Sequence, residues 1–373
     1  MGRRARSLLT APGRDRPCPE RGENSVTLSS AAAIRIMTLM RKQRLLPLVT
    51  LVTFAAGITE AAEYALPERH DVIGEVRRVA ARHEDTFVAL ARRHGLGYEE
   101  LRRANPGVDA WLPGEGTEIA LPTQFVLPRA PRQGIVINVA ELRLYYYPAD
   151  NPGKVVTYPI SIGRMDWTTP VGSTTVVGKA LNPTWYPPES IREEHAARND
   201  FLPAVVPPGP DNPLGKHKLT LGIPGYLIHG TNKPSGVGMR VTHGCIRMFP
   251  EDVEALFAHV PIGTQVRIVN QPYKLGWSES GELYLEAHPP LAEEIEAGLW
   301  TMTEVTREFV AVTDERYAQV DWEWAESVIQ HALGMPFAVS FGPAPEEDLP
   351  LEALEDGEEG VDAVDGEAEA SRG

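Results

Sequence analysis

Short runs of β-forming residues, separated by glycine and proline, dominate the middle of the chain between residues 135 and 269. In the run Leu142–Tyr146, large hydrophobic residues alternate with other residues, and a period of two is typical of β-strands. Further runs of this kind cover Val155–Ile162, Ser173–Ala180, Lys218–Leu221, Tyr226–Ile228 and Gln265–Val269. The pattern predicts a mainly β domain over residues 133–270.

A proline-rich segment at residues 182–215 interrupts these strands. Proline has no backbone N–H to donate, so a segment with this many prolines cannot supply a central strand. We therefore predict a long loop here. Long loops inside compact domains often cover functional sites.

A helix is predicted to begin at Pro250, a residue suited to the first helical turn. Glu251 and Asp252 would complement the dipole of this helix, and hydrophobic residues then recur with helical spacing. Beyond the β domain, residues 281–340 are predicted to form a helical C-terminal extension, with its helices between residues 291 and 332.

The first 62 residues have the organisation of a leader for export. From Met40, a basic segment is followed by the apolar run Leu45–Ile58 and then by small residues up to Ala62, which is typical of a cleaved signal peptide. The apolar run is short for a membrane span, and an uncleaved anchor is the alternative. We predict translation from Met37 or Met40 and removal of the leader near Ala62.

The chain carries a net charge of −15, and this charge is unevenly distributed. Residues 346–373 hold twelve acidic residues against one arginine and few large hydrophobic residues, so we predict a disordered acidic tail. No segment outside the tail forms a broad basic face, which argues against a nucleic-acid partner.

Residues 71–123 are predicted to form a small α+β module before the β domain. Asp85-Thr86 is a helix N-cap signal, a second short helix covers Tyr98–Ala104, and Glu118–Leu121 is a short strand. This strand–helix–helix–strand order resembles the LysM module, which binds the sugar backbone of peptidoglycan and chitin. Without that resemblance, the region is interpreted as a small packing module.

Cys245 is the one cysteine outside the leader, since Cys18 lies within residues 1–62. Thiols in exported proteins tend to be paired, so an unpaired thiol in such a chain suggests a chemical use. Cys245 directly follows His243-Gly244 and lies 16 residues after His229. A cysteine attacks as its thiolate, and a neighbouring imidazole can take the thiol proton.

His229 is the better candidate base, because it ends a predicted strand that can meet the cysteine loop across a sheet. His243 is tethered two residues from Cys245, which limits its geometry. Gly230 and Gly244 are expected to permit positive φ and close backbone approach, and N–H groups beside Cys245 are expected to stabilise an oxyanion. We expect His229 to favour the thiolate at rest or to accept the proton during attack.

Two other interpretations of Cys245 are open at this point. Free cysteine is among the most buried residue types, so an inert core thiol is the plainer interpretation. Alternatively, His229, His243 and Cys245 provide three zinc ligands, although no fourth ligand is apparent in the sequence.

The segment Ile228–Met248, IHGTNKPSGVGMRVTHGCIRM, closely resembles the signature of the L,D-transpeptidase (YkuD-type) catalytic domain. In that signature an upstream His-Gly precedes Ser/Thr-His-Gly-Cys, and Thr242 occupies a position where serine is common. The similarity extends from Gln133 to Asn270 and includes IVINVAELRLYYYP, SIGRMDWTTPVG and IPGYLIHGTN. It implies an L,D-transpeptidase-type β-sandwich and is strongest to the periplasmic subgroup with an N-terminal LysM-like module.

The resemblance implies that Cys245 is the nucleophile and that His229 is the proton acceptor and donor. Five further residues would support the site: Thr242, His243, Gly244, Gly230 and Arg247. Of these, Arg247 would hold the loop through an ion pair or bind a substrate carboxylate. No metal or organic cofactor is implied, because the thiol supplies the covalent chemistry.

The family acts on peptidoglycan tetrapeptide stems, and it cleaves the bond between the L-centre of meso-diaminopimelate and the terminal D-Ala through a thioester. The acyl acceptor would be the amine of a second diaminopimelate or a lysine of an outer-membrane lipoprotein. Water in that role would make the enzyme an L,D-carboxypeptidase or endopeptidase, and a non-catalytic cell-wall-binding protein is the remaining alternative. The expected partners are therefore stem peptides and glycan strands in the periplasm.

Overall fold

A computed structural model describes residues 62–314 and 316–341. The predicted leader before Ala62 and the predicted acidic tail at 346–373 lie outside the described residues. Within the described part of the chain, none of the helices has both the length and the apolar composition needed to cross a membrane.

The secondary structure of the described residues is mainly β. The strands are β1 (Ala62–Ala65), β2 (Val72–Gly74), β3 (Arg77–Ala80), β4 (Glu118–Leu121), β5 (Gln124–Val126), β6 (Gly134–Asn138), β7 (Arg143–Tyr147), β8 (Lys154–Pro159), β9 (Ile162–Gly163), β10 (Gly172–Leu181), β11 (His217–Leu221), β12 (Leu227–His229), β13 (Arg240–Thr242), β14 (Ile246–Arg247), β15 (Gln265–Val269), β16 (Tyr273–Trp277), β17 (Leu283–Ala287) and β18 (Pro336–Ala338). The helices are α1 (Phe87–Arg93), α2 (Tyr98–Ala104), α3 (Glu189–Ala196), α4 (Pro250–His259), α5 (Ala292–Glu296), α6 (Met302–Thr313) and α7 (Trp322–His331).

One large sheet has the strand order β1-β8-β7-β6-β15-β10-β11-β12-β14. Neighbouring strands pair antiparallel, except that β6–β15 and β12–β14 pair parallel. The predicted mainly β domain is therefore confirmed, and every β run identified in the sequence overlaps at least one strand. Helix α4 begins at Pro250, as predicted, and packs against the sheet through Val253 and Leu256.

Both faces of the sheet are buried in its central strands. Leu144 and Tyr146 of β7 enter the core that contains α4, whereas Tyr145 and Tyr147 enter a second core on the opposite face. Successive side chains of a strand point to opposite faces, which explains this division. The alternating residues that predicted β7 therefore face one core, and the tyrosines at the intervening positions face the other.

The second core is built with the N-terminal module. β3 and β4 pair antiparallel, and α1 and α2 lie between them in the chain, which is the predicted order. Thr86 caps α1 by accepting a hydrogen bond from the Ala89 N–H. Phe87 of α1 and Leu101 of α2 share a hydrophobic core with Tyr145 of β7. The module therefore packs directly on the large sheet.

Polar contacts also join the module to the sheet and to the segment before β13. Glu100 of α2 and Arg143 of β7 form a buried bidentate ion pair, with N–O distances of 2.7 and 2.8 Å. The N–H of Glu99 donates to the carbonyl oxygen of Gly238 at 3.2 Å. An added Cβ at Gly238 would lie 2.3 Å from the Cα of Gly97, so the two backbones are in close contact.

The C-terminal region differs from the prediction of a helical extension over 281–340. Helices α5, α6 and α7 lie between residues 292 and 331, but β16, β17 and β18 form an antiparallel sheet beside them. Leu285 of β17 packs with Phe309 of α6 and Val328 of α7. The prediction missed this sheet because β18 follows the helices in the chain and pairs with β17 only through tertiary contact.

The proline-rich insertion also differs from the prediction, because it contains helix α3. Pro188 is the N-cap residue of α3, where the first N–H groups have no intrahelical partner in any case. Ile191 of this helix is buried. The prolines therefore flank the helix and do not interrupt it.

Candidate active site

The parallel pairing of β12 with β14 brings the two predicted catalytic segments together at one end of the large sheet. Ile228 pairs with Ile246, and His229 pairs with Arg247. Side chains two residues apart on a strand share a face. His229 and Leu227 therefore share a face of β12, and the Leu227 N–H donates to the thiol of Cys245, which comes immediately before β14.

The His229 imidazole is buried and held in one tautomer. Its Nδ1 lies 2.6 Å from the carbonyl oxygen of Gly230, which can only accept a hydrogen bond, so Nδ1 carries the proton. Burial, together with the nearby Arg247 guanidinium, lowers the pKa of His229 to about 3. At pH 7 the ring is neutral, and Nε2 is the nitrogen that can accept a proton.

The Cys245 thiol is partly exposed and lies 3.6 Å from the carbonyl oxygen of Gly225. Its partial burial raises the pKa of the thiol above the ordinary value, although the Leu227 N–H and the Arg247 guanidinium oppose this effect. The resting site therefore holds a neutral thiol and a neutral imidazole. These protonation states favour the expected route of proton transfer during attack over a thiolate at rest.

Arg247 lies beside both groups, since its charge affects the pKa of His229 and of Cys245. Within residues 62–314 and 316–341, no carboxylate pairs with this guanidinium, and its Nε is buried without a hydrogen-bond partner. A buried donor without a partner is costly, so the site favours an incoming acceptor group. This observation supports the carboxylate-binding role inferred for Arg247 over the role in a structural ion pair.

The turn before Cys245 depends on glycine and threonine. Gly244 has a φ of +99°, a conformation that other residues rarely adopt, and an added Cβ would lie 2.9 Å from the ring of Tyr226. Thr242 is buried and closes the turn by donating from Oγ1 to the carbonyl oxygen of Cys245 at 2.7 Å. Both residues therefore hold the backbone of the turn in its observed conformation.

Gly230 departs from the expectation of a positive φ, since its backbone lies outside that region. Its small size still matters, because an added Cβ would lie 3.2 Å from Cγ1 of Val253 in α4. The N–H of Gly230 donates to the carbonyl oxygen of His217 at 3.2 Å. Gly230 therefore allows β12 to pass close to α4.

His243 contacts the proline-rich insertion. Its Nε2 lies 2.8 Å from the Glu194 carboxylate of α3, and its ring meets the Trp167 ring edge to face with centroids 5.2 Å apart. The hydrogen bond from Arg164 to Glu194 holds the pKa of that carboxyl at about 2. Burial lowers the pKa of His243, so its neutral imidazole donates from Nε2 to Glu194.

The zinc interpretation is not supported by the positions of its three ligands. In the described part of the chain, the cluster of three metal-binding side chains with donor atoms within 4.8 Å of one another is Glu141, Glu286 and His288. Lys274 Nζ lies 2.9 Å from a carboxylate oxygen of both Glu141 and Glu286. An ammonium group therefore already neutralises that buried cluster.

Three residues near the catalytic turn were missed by the sequence analysis: Trp167, Thr169 and Glu194. Thr169 donates from Oγ1 to the carbonyl oxygen of Gly244 at 2.8 Å. Trp167 and Thr169 lie in SIGRMDWTTPVG, so the family resemblance already marked their segment. Glu194 has no motif around it, and only the fold brings it to His243.

The family model of the L,D-transpeptidase catalytic domain, YkuD, matches residues 132–268. A protein of Escherichia coli K12 described as probable L,D-transpeptidase YcfS is 41% identical over 314 residues, which cover 81% of this chain and 97% of that relative. The chain belongs to the L,D-transpeptidase family. The resemblance to the L,D-transpeptidase catalytic domain found in the sequence is thereby confirmed.

A second relative in the L,D-transpeptidase family, probable L,D-transpeptidase ErfK/SrfK of Escherichia coli K12, is 40% identical over 296 residues. That alignment covers 78% of this chain and 94% of the relative. Among solved structures, L,D-transpeptidase 3 from Mycobacterium tuberculosis is similar over 41% of this chain and 67% of its own, with 20% identity and a TM-score of 0.28. Membership of the family rests on the two sequence relatives.

Proposed function

We propose that this L,D-transpeptidase uses Cys245 to form a thioester with peptidoglycan tetrapeptide stems and then transfers the acyl group to an amine. The observation that carries the proposal is the parallel pairing of β12 with β14, which sets His229 opposite Arg247, two residues after Cys245. The bond from His229 Nδ1 to the Gly230 carbonyl supports it further, because Nε2 is then the proton-accepting nitrogen.

In the first half-reaction, Sγ of Cys245 attacks the carbonyl carbon at the L-centre of diaminopimelate while the thiol proton passes to Nε2 of His229. The carbonyl oxygen becomes an oxyanion, and backbone N–H groups beside Cys245 stabilise it. The C–N bond to D-Ala then breaks. His229 returns the proton to the leaving amine, and the thioester remains.

In the second half-reaction, an acceptor amine attacks the thioester carbon and gives a proton to His229. The C–S bond breaks, a new amide forms, and the Cys245 thiolate regains its proton from His229. The amine is that of a second diaminopimelate, giving a 3-3 crosslink, or that of a lipoprotein lysine. Hydrolysis follows the same steps with water as the nucleophile.

Arg247 is proposed to bind a carboxylate of the stem peptide. Stem peptides carry several carboxylates, and Arg247 presents a guanidinium with no carboxylate partner among the described residues. Its position beside Cys245 and His229 brings that charge to the reacting bond. A guanidinium suits this role because its donors match carboxylate geometry.

The N-terminal module is proposed to bind glycan strands. Trp111 and Leu112, in the loop between α2 and β4, are 63% and 75% exposed. The Asp109 carboxylate accepts hydrogen bonds from both of their N–H groups, at 2.8 and 3.0 Å, and so holds this tip in one conformation. Exposed apolar side chains on a fixed turn often mark interaction sites. The predicted leader supports export to the periplasm, where such glycans are found.

Incubation with purified disaccharide-tetrapeptides, followed by mass spectrometry, tests the proposal. Crosslinked dimers that have lost one D-Ala indicate transfer to diaminopimelate, and an adduct with an added lipoprotein peptide indicates transfer to lysine. Tripeptides with free D-Ala indicate hydrolysis. The Cys245→Ala variant is the control and should give no product. Unchanged tetrapeptide with the parent protein would contradict the proposal and favour a non-catalytic wall-binding protein.

A further inference from the structure

Thr169 connects two backbone segments at the catalytic turn through a single hydroxyl. Its Oγ1 donates to the carbonyl oxygen of Gly244 at 2.8 Å and accepts from the N–H of Gly163 at 3.1 Å. The side chain is 8% exposed. Because a hydroxyl has one proton, the bond accepted from Gly163 leaves that proton for Gly244.

The carbonyl of Gly244 belongs to the same peptide group as the N–H of Cys245. A peptide group is planar and trans, so its C=O and N–H point in opposite directions. Binding of the Gly244 oxygen by Thr169 therefore fixes the direction of the Cys245 N–H. The nucleophile's own backbone N–H is one of the oxyanion donors in the serine triad enzymes, which use the same acyl-transfer chemistry.

An anchor is needed here because Gly244 is the most conformationally permissive residue of the turn. Its φ of +99° permits the turn, but a glycine does not by itself hold one peptide orientation. The next carbonyl, that of Cys245, is bound by Oγ1 of Thr242 at 2.7 Å. Two threonine hydroxyls therefore hold the two peptide groups that flank Cys245. Thr242 belongs to the signature, and Thr169 lies outside it.

We propose that Thr169 is a positioning residue that directs the Cys245 N–H toward the oxyanion formed during acyl transfer. It acts through the Gly244 peptide. The inference rests on the proposed function of Cys245 as the nucleophile. The proposal adds to the catalytic site a residue of the segment after β9, which lies far from the Thr-His-Gly-Cys signature in the chain.

The test compares two reactions of the same thiol. The first is single-turnover thioester formation from a disaccharide-tetrapeptide, measured by intact mass, which passes through an oxyanion. The second is alkylation by iodoacetamide, a displacement at a saturated carbon that forms no oxyanion. Three variants are compared with the parent: Thr169→Val, Thr169→Ser and Thr168→Val. Thr168 is the matched control, because it is the exposed neighbour of the same residue type.

Thr169→Val keeps the shape of the side chain but removes both hydrogen bonds. We expect it to slow thioester formation about 10- to 100-fold, while alkylation changes by less than about threefold. Thr169→Ser keeps the hydroxyl, so its acylation rate should stay within about threefold of the parent. Thr168→Val should react like the parent in both assays. Melting curves establish that each variant is folded at the assay temperature.

Thr169→Val acylating at the parent rate would overturn the inference. Equal losses in acylation and alkylation would also overturn it, since they would indicate a general loss of thiol reactivity. Thr169→Ser as slow as Thr169→Val would exclude the hydroxyl as the cause. A parent protein that forms no thioester would overturn the proposed function as well, whereas an active parent with a fully active Thr169→Val overturns the role of Thr169 alone.

Discussion

Glu194 of helix α3 accepts a hydrogen bond from Nε2 of His243 at 2.8 Å, which joins the proline-rich insertion to the catalytic turn. The same carboxylate binds Arg164, whose N–H donates to the carbonyl oxygen of Thr242 at 3.1 Å. One carboxylate therefore connects the insertion to His243 in the catalytic turn and to Arg164, which binds the backbone of Thr242. This carboxylate therefore holds helix α3 of the insertion against the catalytic turn.

Removal of this carboxylate should impair turnover through His243. We expect Glu194→Ala to lower kcat/KM by about 10-fold or more, because a small displacement of the turn is costly to catalysis. Glu193→Ala, at an exposed position of the same helix, should stay within about twofold and serves as the control. Adding Glu194→Ala to His243→Ala should cause little further loss if Glu194 acts through that ring. Fully additive losses in the steady-state assay would contradict this coupling.

The protonation states predict how Cys245 responds to pH. Because burial raises its pKa, the native thiol should react with iodoacetamide more slowly than a model thiol at pH 7, and its rate should rise through a midpoint above the ordinary ~8.5. His229→Ala should abolish turnover but leave alkylation at high pH within about threefold, since the neutral ring is not a counter-ion. The measurement is the alkylation rate by intact mass on protein that begins at Ala62. A rate plateau below pH 7 would instead indicate a thiolate–imidazolium pair.

The buried pair of Glu100 and Arg143 should contribute strongly to stability. The two side chains are 4% and 0% exposed, so Glu100→Gln leaves a buried guanidinium without its counter-charge. We expect the free energy of unfolding in urea to fall by about 3–5 kcal/mol. Glu118→Gln is the matched control in the same module, because Glu118 pairs with Arg78 at exposures of 65% and 64%. Its loss should stay below about 1 kcal/mol, and equal losses for the two variants would contradict the argument.

Asp252 in the first turn of α4 should make the protein less stable as pH rises. Burial raises the pKa of this carboxyl to about 7, against the lowering effect of Arg143 and Arg92, and its Oδ2 is buried without a hydrogen-bond partner among the described residues. The unfolded chain loses this proton near pH ~4, so the folded state binds more protons between there and pH 7. Stability from this group is therefore present at low pH and lost as pH rises.

Comparison of Asp252→Asn with the parent isolates this effect, because other titrating groups cancel in the difference. The two proteins should be similar in stability near pH 4. Above pH 7 the variant should be more stable, by roughly 2–4 kcal/mol at most, given ~1.4 kcal/mol for each pKa unit. Urea unfolding across this pH range is the measurement. A constant difference at all pH values would show that Asp252 titrates normally.

Trp111 should carry part of the affinity of the N-terminal module for glycan. Trp111→Ala is expected to weaken retention on purified peptidoglycan sacculi by roughly 2- to 10-fold, since stacking of an aromatic ring is lost. Tyr317→Ala is the control, at another exposed aromatic position of 71%. Binding should depend weakly on salt because the contact is not between charges. Retention that disappears at high salt in the parent would point to charge-driven adhesion.

Local patterns in the sequence were sufficient for most of the secondary structure. The alternation in Leu142–Tyr146 predicted β7, the first-turn residues Pro250 to Asp252 predicted α4, and Thr86 was identified as part of a cap. Each of these depends on residues a few positions apart, which a single sequence displays directly. The prediction failed where an element depends on contacts between segments that are distant in the chain, as in the pairing of β17 with β18.

For the candidate site too, some features follow from the sequence and others follow only from the tertiary structure. The sequence by itself determined which residues are present at the signature, namely His229, His243, Gly244 and Cys245, and through them the family. Only the tertiary structure decided that burial raises the pKa of the thiol, that His229 donates to Gly230, and that Thr169 and Glu194 bind the turn. The physical reason is that pKa and hydrogen-bond geometry depend on burial and on neighbours from remote segments, and these arise only when the chain has folded.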